Sequence, residues 1–425
     1  MAATERVTAT LTAETGRACN YSHRRVAMML YLLVTLAAAS SKATTVRVGP
    51  SSAANASSVA AGVALVPVNV SARWTVLIEP GVYRERVSTA EKGPLSLVGL
   101  GAAAEDVVLV YGCSNNNGTG RAGCRPCPAN ASFINRATLT VASEDFIAAN
   151  LTVANDACGY NAALAGQSAA VSIDADRAAF SRCRLLGGQD TLYTGGGTLR
   201  SFFQMSFVNG SCDSIYGDST SVFDNCTIAV VDHITAHGGG SICTSKADGG
   251  RGMGPSCGVD GHGHGSYYLF LNASLVKPDA SEFDRKHAPN TELGRAWGTN
   301  AHVIFKDSFL DSHIAQHGWG AMGEGGAASS PMRCGRFGKC CANTSKCWCQ
   351  VRCVLLLVLL RLLVLVLTTV VLTSQNTTFA EYRSRGPGAA AASENKRVGW
   401  SRQLTEGEAA AYTAKAALRG WTPLV

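Results

Sequence analysis

Charge is scarce in this chain of 425 residues: Asp, Glu, Lys and Arg together make up 16%, and aromatic residues only 7%. With 46% apolar residues, so little charge excludes a disordered chain, and 45 glycines fall far short of the one in three a collagen-like repeat needs. From about residue 134 onward no strong apolar period of 3.6 is found, which argues against a helical fold. A Gly-x-Ser-x-Gly elbow is also missing, which removes the usual signature of a serine esterase. The length leaves room for one large domain or two to three ordinary ones. What is present, taken at face value, is a net charge of +7 (37 Lys and Arg against 30 Asp and Glu) and 16 cysteines. Such totals suggest acidic partners and an oxidised compartment, but only if they belong to the body of the chain.

They do not. Residues 26–39 form an apolar run directly after His23-Arg24-Arg25, followed by small residues at Ser41 and Ala43, so residues 1–43 read as a signal peptide, with an uncleaved anchor as the alternative. Eleven Asn-x-Ser/Thr sequons, at Asn20, Asn55, Asn69, Asn117, Asn130, Asn150, Asn209, Asn225, Asn272, Asn343 and Asn376, agree with a secreted glycoprotein. Residues 327–375 are unlike the rest: six cysteines, six Lys or Arg and no Asp or Glu, including the Leu/Val run Val354–Leu372 broken only by Arg361 and a few Thr. By length that run is a candidate membrane span. The cysteines have irregular spacing and no histidine, which is poor zinc-site chemistry. A Leu/Val run ending in Ser374-Gln375 also matches a translated pyrimidine-rich splice acceptor, so a retained intron stands beside a genuine insert or anchor. Leader and insert carry most of the positive charge, leaving about −2 for the body, and they remove seven cysteines, leaving an odd nine.

In the body a short strand pattern recurs. Phe146-Ile-Ala-Ala-Asn-Leu-Thr-Val, Phe180-Ser-Arg-Cys-Arg-Leu and Phe203-Gln-Met-Ser-Phe-Val are followed by Phe223-Asp-Asn-Cys-Thr-Ile, Phe270-Leu-Asn-Ala-Ser-Leu and Phe305-Lys-Asp-Ser-Phe-Leu. The Phe spacings are 34, 23, 20, 47 and 35, so the unit is just over twenty residues and longer turns stretch some copies. Repeated strands of that length predict an all-β parallel β-helix, each coil burying its apolar face on the next. A sandwich would need Asn-Gly or Asp-Gly hairpins recurring every 8–12 residues, and they do not recur so. One long strand face of such a solenoid is a shallow groove suited to an extended polymer.

Three signals in the chain are weak. Gly217-Asp218-Ser219 resembles a hydrolase nucleophile block in three residues only; Cys124-x-x-Cys127, with Cys113 close by, reads better as a loop disulfide than a redox pair; His262 and His264 lack a third metal ligand. The stronger pattern is Gln189-Asp190-Thr-Leu-Tyr193 and, 23 residues later, Cys212-Asp213-Ser-Ile-Tyr-Gly217. One coil apart, Asp190 and Asp213 are expected side by side at about 4.8 Å strand spacing. Neighbouring carboxylates raise one pKa and leave the other ionised, an acid beside a nucleophile or base.

These segments resemble the pectin methylesterase (pectinesterase) family. Five blocks agree in order: Gly81-Val-Tyr-Arg-Glu85, Gln167-Ser-Ala-Ala-Val171, Gly187-Gly-Gln-Asp-Thr-Leu-Tyr193, Cys212-Asp-Ser-Ile-Tyr-Gly217 and Leu293-Gly-Arg-Ala-Trp297. Phe379-Ala-Glu-Tyr-Arg-Ser-Arg-Gly-Pro-Gly-Ala389 and Arg397-Val-Gly-Trp400 resemble the family's C-terminal stretch. The resemblance implies a single-stranded, right-handed parallel β-helix, with the catalytic domain in 44–326, the atypical insert in 327–375 and the rest of the domain in 376–425. It implies Asp213 as nucleophile, Asp190 as general acid and base, Gln167 and Gln189 as oxyanion donors, Arg295 as partner of Asp213, and Trp297, Tyr193 and Tyr216 as sugar contacts. No metal or organic cofactor is implied. The expected partner is methyl-esterified homogalacturonan, with no nucleic acid, a membrane only if 354–372 truly spans one, and a monomeric, secreted state. Gly188, Ser214, Tyr216 and Ala296 depart from the family's Tyr, Phe, Phe and Pro, which alters the groove lining. A β-helical pectin-cleaving glycoside hydrolase and a non-catalytic pectin-binding homologue are the alternatives; the former's paired-Asp and Asn-Thr-Asp signatures are missing.

Overall fold

A two-residue corner organises the chain. Strand Ile147–Ala149 turns into Thr152–Ala154, Ala178–Ser181 into Arg184–Leu186, Arg200–Gln204 into Phe207–Gly210, Thr220–Asp224 into Thr227–Val230, Tyr268–Leu271 into Ser274–Val276 and His302–Lys306 into Phe309–Leu310. The first corner residue is always left-handed: Asn150 (φ 53°), Arg182 (51°), Met205 (46°), Asn225 (51°), Asn272 (49°) and Asp307 (55°). Asn and Asp accept this conformation readily; Arg182 and Met205 hold it at a cost of about 1 kcal/mol each, offset because the corner N–H continues the ladder to the next coil. The second corner residue, Leu151, Cys183, Ser206, Cys226, Ala273 or Ser308, is buried in every copy.

The computed structural model describes residues 44–114, 125–127, 136–157, 167–211, 213–230, 243–245, 267–277, 291–296, 302–320 and 378–424. Among them the strands form three all-parallel sheets of eleven, eight and eight strands. Sheet A runs from Thr45–Val48 to Arg402–Gln403, sheet B from Gly81–Tyr83 to Phe309–Leu310, and sheet C from Val87–Ser88 to Trp319–Gly320. The chain visits A, B and C in turn, so each coil stacks on the one before: the parallel β-helix read from the repeat. The N-terminal end is covered by helix Val59–Leu65, whose first N–H groups are taken by Ser58 Oγ (from Ala61, 3.2 Å) and by the Glu85 carboxylate (from Val59 and Ala60, 2.7 and 3.0 Å). Gly62 lets this helix approach the first strand, since a Cβ there would lie 2.3 Å from Val48 Cγ2.

The core lies inside the coil. Phe180, Phe203, Phe223, Phe270 and Phe305 share one register position in sheet A and stack at 5.1, 4.6, 4.7 and 4.3 Å between centroids. Such contacts contribute about 0.5–1.5 kcal/mol each beyond area burial. The repeat spacing needs one correction. Phe180 pairs with Ala148, not Phe146, so the first offset is two residues shorter than the Phe spacing, and Phe146 tilts onto Phe180 at 5.7 Å and 51°. Its ring packs into the stack from a position outside the strand because small Ala148 leaves the space.

Beyond residue 377 the chain rejoins the same solenoid. Thr378–Tyr382 pairs with His302–Lys306, and helices Glu406–Ala410 and Ala414–Ala417 cover the outer face of sheet A at Phe202, Val222, Leu269, Ile304 and Ala380. Lys306 Nζ donates to Ala409 O (2.9 Å) and Tyr412 O (3.2 Å), tying down the helical tail. The leader 1–43 and the insert 327–375 lie outside the described residues. Strands Trp319–Gly320 and Thr378–Tyr382, on either side of the insert, pair into sheets C and A of the same solenoid. Among the described residues no helix is long and apolar enough to cross a membrane.

Candidate active site

Sheet C carries the site because alternation sends every second side chain outward. Leu139, Val171, Leu192 and Ile215 point into the core and are fully buried. The outward register position runs through Thr140, Ser172, Tyr193, Tyr216, Thr244, Arg295 and Gly320. The turns from sheet B into sheet C border this face, and they hold the remaining candidates.

Asp190 and Asp213 each lie two residues before a sheet C strand, and those strands pair Leu192 with Ile215. The two aspartates therefore occupy equivalent positions one coil apart, as the 23-residue spacing predicts. Both adopt left-handed backbone, φ 62° and 49°, which asparagine and aspartate tolerate best among residues with a Cβ. Both are nearly covered, at 4% and 9% exposure. Burial and then the charge of Asp213 push the Asp190 carboxyl up to about 8, opposed by Arg295 and by side-chain hydrogen bonds from Gln189 and Gln167. Asp190 is thus protonated at neutral pH. Asp213 is clamped by Arg295, Nε to Oδ1 at 3.0 Å and Nη2 to Oδ2 at 2.5 Å, a two-pronged pair that fixes the carboxylate plane.

Gln167 and Gln189 face each other across a parallel bridge on adjacent coils, so both amides reach the same carboxyl. Tyr193 is part-exposed and its ring lies 5.2 Å from that of Tyr216. Tyr216 differs from the expectation. It is 3% exposed, so it offers no ring face to a polymer; burial and then Asp190 push its phenol well above the ordinary value, keeping it neutral. Trp297, His262, His264 and Cys124 lie outside the described residues. Cys113 bonds to Cys127 across 14 residues, so the loop disulfide forms in the turn bordering the site. Ser219 is buried and paired with Ser221 Oγ at 2.9 Å, a structural contact and not a nucleophile's setting.

Reasoning from sequence missed one group beside the site: Arg84 and Arg125, both on Asp156. Arg84 stood within the first matching block, but only the fold shows that its side chain reaches Asp156.

A family model described as Pectinesterase matches residues 45–332. Pectinesterase 31 of Arabidopsis thaliana is 26% identical over 86% of this chain and 89% of its own length. A pectinesterase of Ralstonia solanacearum is 30% identical over 57% of this chain and 63% of its own. Among solved structures, pectin methylesterase from carrot superposes with a TM-score of 0.63 at 20% identity, covering 88% of this chain and 93% of that one. Pectin methylesterase PemA from Erwinia chrysanthemi gives 0.62 at 23% identity, covering 91% and 100%. A pectin methylesterase in complex with a hexasaccharide gives 0.61 at 23%, covering 89% and 98%. The coil is accordingly the right-handed parallel β-helix of these neighbours. On the family match, which spans most of the chain and every described candidate residue, the chain belongs to the pectinesterase family.

Proposed function

We infer that this chain is a carboxylic ester hydrolase acting on the methyl esters of homogalacturonan, releasing methanol and leaving free carboxylates on the polymer. One observation carries the reading: Asp190, its carboxyl pushed up to about 8, stands one coil from an Asp213 gripped and oriented by the two-pronged contact of Arg295. An Asp213 oxygen attacks the ester carbonyl, and the charge that develops on the carbonyl oxygen is met by the amides of Gln167 and Gln189, whose donors already converge here. As the tetrahedral adduct collapses, the C–O bond to the methoxy group breaks and Asp190 gives it a proton, releasing methanol. Asp190, now a carboxylate, takes a proton from water, the hydroxide attacks the acyl-enzyme, and Asp213 leaves as a free carboxylate. Each group ends as it began. Tyr193, and Trp297 beyond the described residues, are assigned to contact with the sugars. The hexasaccharide complex of a structural neighbour supports an oligosaccharide-binding groove, and the leader reading supports secretion.

Methanol release from highly methylated pectin is the test, run beside an assay for new reducing ends. Methanol without reducing ends is expected; reducing ends without methanol would assign the chain to glycosidic cleavage instead. Asp213→Asn should abolish methanol release and leave pectin binding intact.

A further inference from the structure

We propose that a cavity on the outer face of sheet A, bordered by the end of the C-terminal tail, is a second carbohydrate-binding site that takes one uronate unit of an acidic polysaccharide, with the sugar's carboxylate on Arg73. The site stands apart from the catalytic face, which is the outward side of sheet C. It rests on the ester-hydrolase reading only for the choice of galacturonate as the uronate.

The cavity is a step in the packing of the tail. The outward position of sheet A runs in register from Ser96 through Ile147, Ala179 and Phe202 to Ala380. The tail helices cover this column from Phe202 onward. Ile147 and Ala179 instead floor a cavity of about 250 Å³, walled on the tail side by Trp421, Thr422 and Leu424. That is smaller than the roughly 300–1,000 Å³ of sites for drug-sized ligands, and leaves room for one sugar ring. The tail is fastened beside it: Arg200 Nη1 donates to Leu418 O at 3.1 Å, Arg419 donates to Thr198 O, and the Arg200 guanidinium lies 5.9 Å from the Trp421 ring centroid.

Charge sets what the cavity takes. Arg73, Asp145 and Arg177 line it from the entry edge of sheet A. Arg177 spends its donors on carboxylates, Nε on Asp145 Oδ1 at 2.6 Å, Nη2 on Asp145 Oδ2 at 2.9 Å and Nη1 on Asp176 Oδ2 at 2.8 Å. Arg73 differs. Its Nη1 donates only to neutral groups, Ser96 Oγ at 3.2 Å and Leu95 O at 3.4 Å, and it forms no ion pair among the described residues. Burial lowers its pKa, and the charge of Asp145 only partly opposes that. A partly buried guanidinium without a carboxylate of its own gains most from an anion that brings two oxygens. Asp145, 35% exposed, can only accept, so the ligand must carry hydroxyl donors beside its carboxylate. Ile147, Trp421 and Leu424 supply apolar surface for the C–H face of a ring. Carboxylate, hydroxyls and an apolar ring face together describe a uronate; galactose lacks the first and acetate the other two.

The test uses the full chain with galacturonate, galactose and acetate as probes, read by amide hydrogen exchange. Galacturonate should slow exchange at residues 145–147, 177–179 and 418–424, and the other two probes should bind about tenfold more weakly. Arg73→Gln should weaken galacturonate binding about tenfold. Ala179→Leu, which fills the cavity and leaves every charge in place, should do the same. Both variants should keep kcat and KM on a short, fully esterified oligogalacturonate within about twofold, and raise KM several-fold on long, partly demethylated pectin, which can engage both sites. If Arg73→Gln fails on the short substrate as well, its fold is impaired and Ala179→Leu decides alone. No protection at these residues in the parent chain, acetate binding as tightly as galacturonate, binding unchanged in both variants, or a pectin KM that stays put when galacturonate binding is lost would each overturn the proposal. Absence of methanol release from the parent chain would sink the esterase reading instead, while protection by galacturonate would still decide the site.

Discussion

Glu381 stands opposite Phe305 in parallel register, so the column of stacked phenylalanines ends on a fully buried carboxylate. Arg397 neutralises it, Nε to Oε1 at 2.8 Å and Nη2 to Oε2 at 3.2 Å, and spends its other donors on Ala315 O, Gln316 O and Gly388 O. The pair joins the last coil before residue 321 to the segment after 377. Gly318, at φ 74°, makes way for it, since a Cβ there would lie 2.6 Å from Arg397 Cδ. Removing one partner leaves a buried charge without its counterion. Glu381→Gln and Arg397→Met are each expected to destabilise the fold by about 3–5 kcal/mol, read from denaturant midpoints. Losses under 1 kcal/mol would show that the tail is not anchored here.

Asp190 makes the site costly to fold. Its carboxyl titrates at about 8 when folded, against 3.8 for an ordinary aspartate. Between those values the folded chain retains a proton that the unfolded chain has released, so this residue's contribution falls as pH rises through that window. Asp190→Asn should therefore stabilise the protein at pH 8, by up to about 5 kcal/mol, and bring no gain near pH 4. The same substitution should eliminate the methanol released in the first turnover, and in the parent chain that release should decline above about pH 8. A stabilisation equal at all pH values would contradict the raised carboxyl.

Tyr193 and Tyr216 part company on exposure. Tyr193→Ala is expected to raise KM for pectin several-fold, the loss of about 1 kcal/mol of ring contact, while Tyr216→Phe should leave KM unchanged. A large KM effect at Tyr216→Phe would mean that the groove opens to admit sugar onto a ring that is buried in the free protein.

Asn150 is a sequon that should stay bare. Its Nδ2 donates to Gly99 O at 3.1 Å and Gly101 O at 2.8 Å, leaving the amide committed to the corner between sheets A and B. Glycopeptide mapping should find Asn150 unmodified, and Asn150→Ala should cost about 1–2 kcal/mol through the two stranded carbonyls. A glycan at Asn150 would refute this assignment.

Removal of residues 327–375 should leave methanol release intact. The coil before closes the same C-to-A connection, Ala296 to His302, with five residues. The deletion leaves 321–326 and 376–377, eight residues, for the corresponding span. Loss of activity in a folded deletion protein would show that the insert takes part in the site.

Much of this was legible in sequence, for physical reasons that can be named. Strand-level stacking makes residues one coil apart into neighbours, so the spacing of Asp190 and Asp213 translated directly into proximity. The same logic slipped by two residues at Phe146, because an aromatic just outside a strand can fill the core as well as one within it. Sequons misled in a similar way. Asn150, Asn225 and Asn272 fall at left-handed corners where asparagine is favoured for its backbone, followed two residues later by the Ser or Thr that opens the sheet B strand. Part of the apparent glycosylation signal is turn chemistry. The Arg84–Asp156–Arg125 cluster was illegible, because its members are brought together by a side chain that spans two coils and by a turn closed with a disulfide.

The two-residue corner between sheets A and B also decides where this molecule can change. Six successive coils make it with the same left-handed step, so that edge behaves as a rigid spine along which no coil can grow. Every extra residue between successive phenylalanines of the stack must then enter beside sheet C, at its entry or its exit. Loops can be exchanged there, around the catalytic face, while Asp190, Asp213 and Arg295 keep their places in the register of sheet C. A scaffold of this kind diversifies the polymer it accepts by replacing the walls of its groove and leaving the chemistry at its floor untouched.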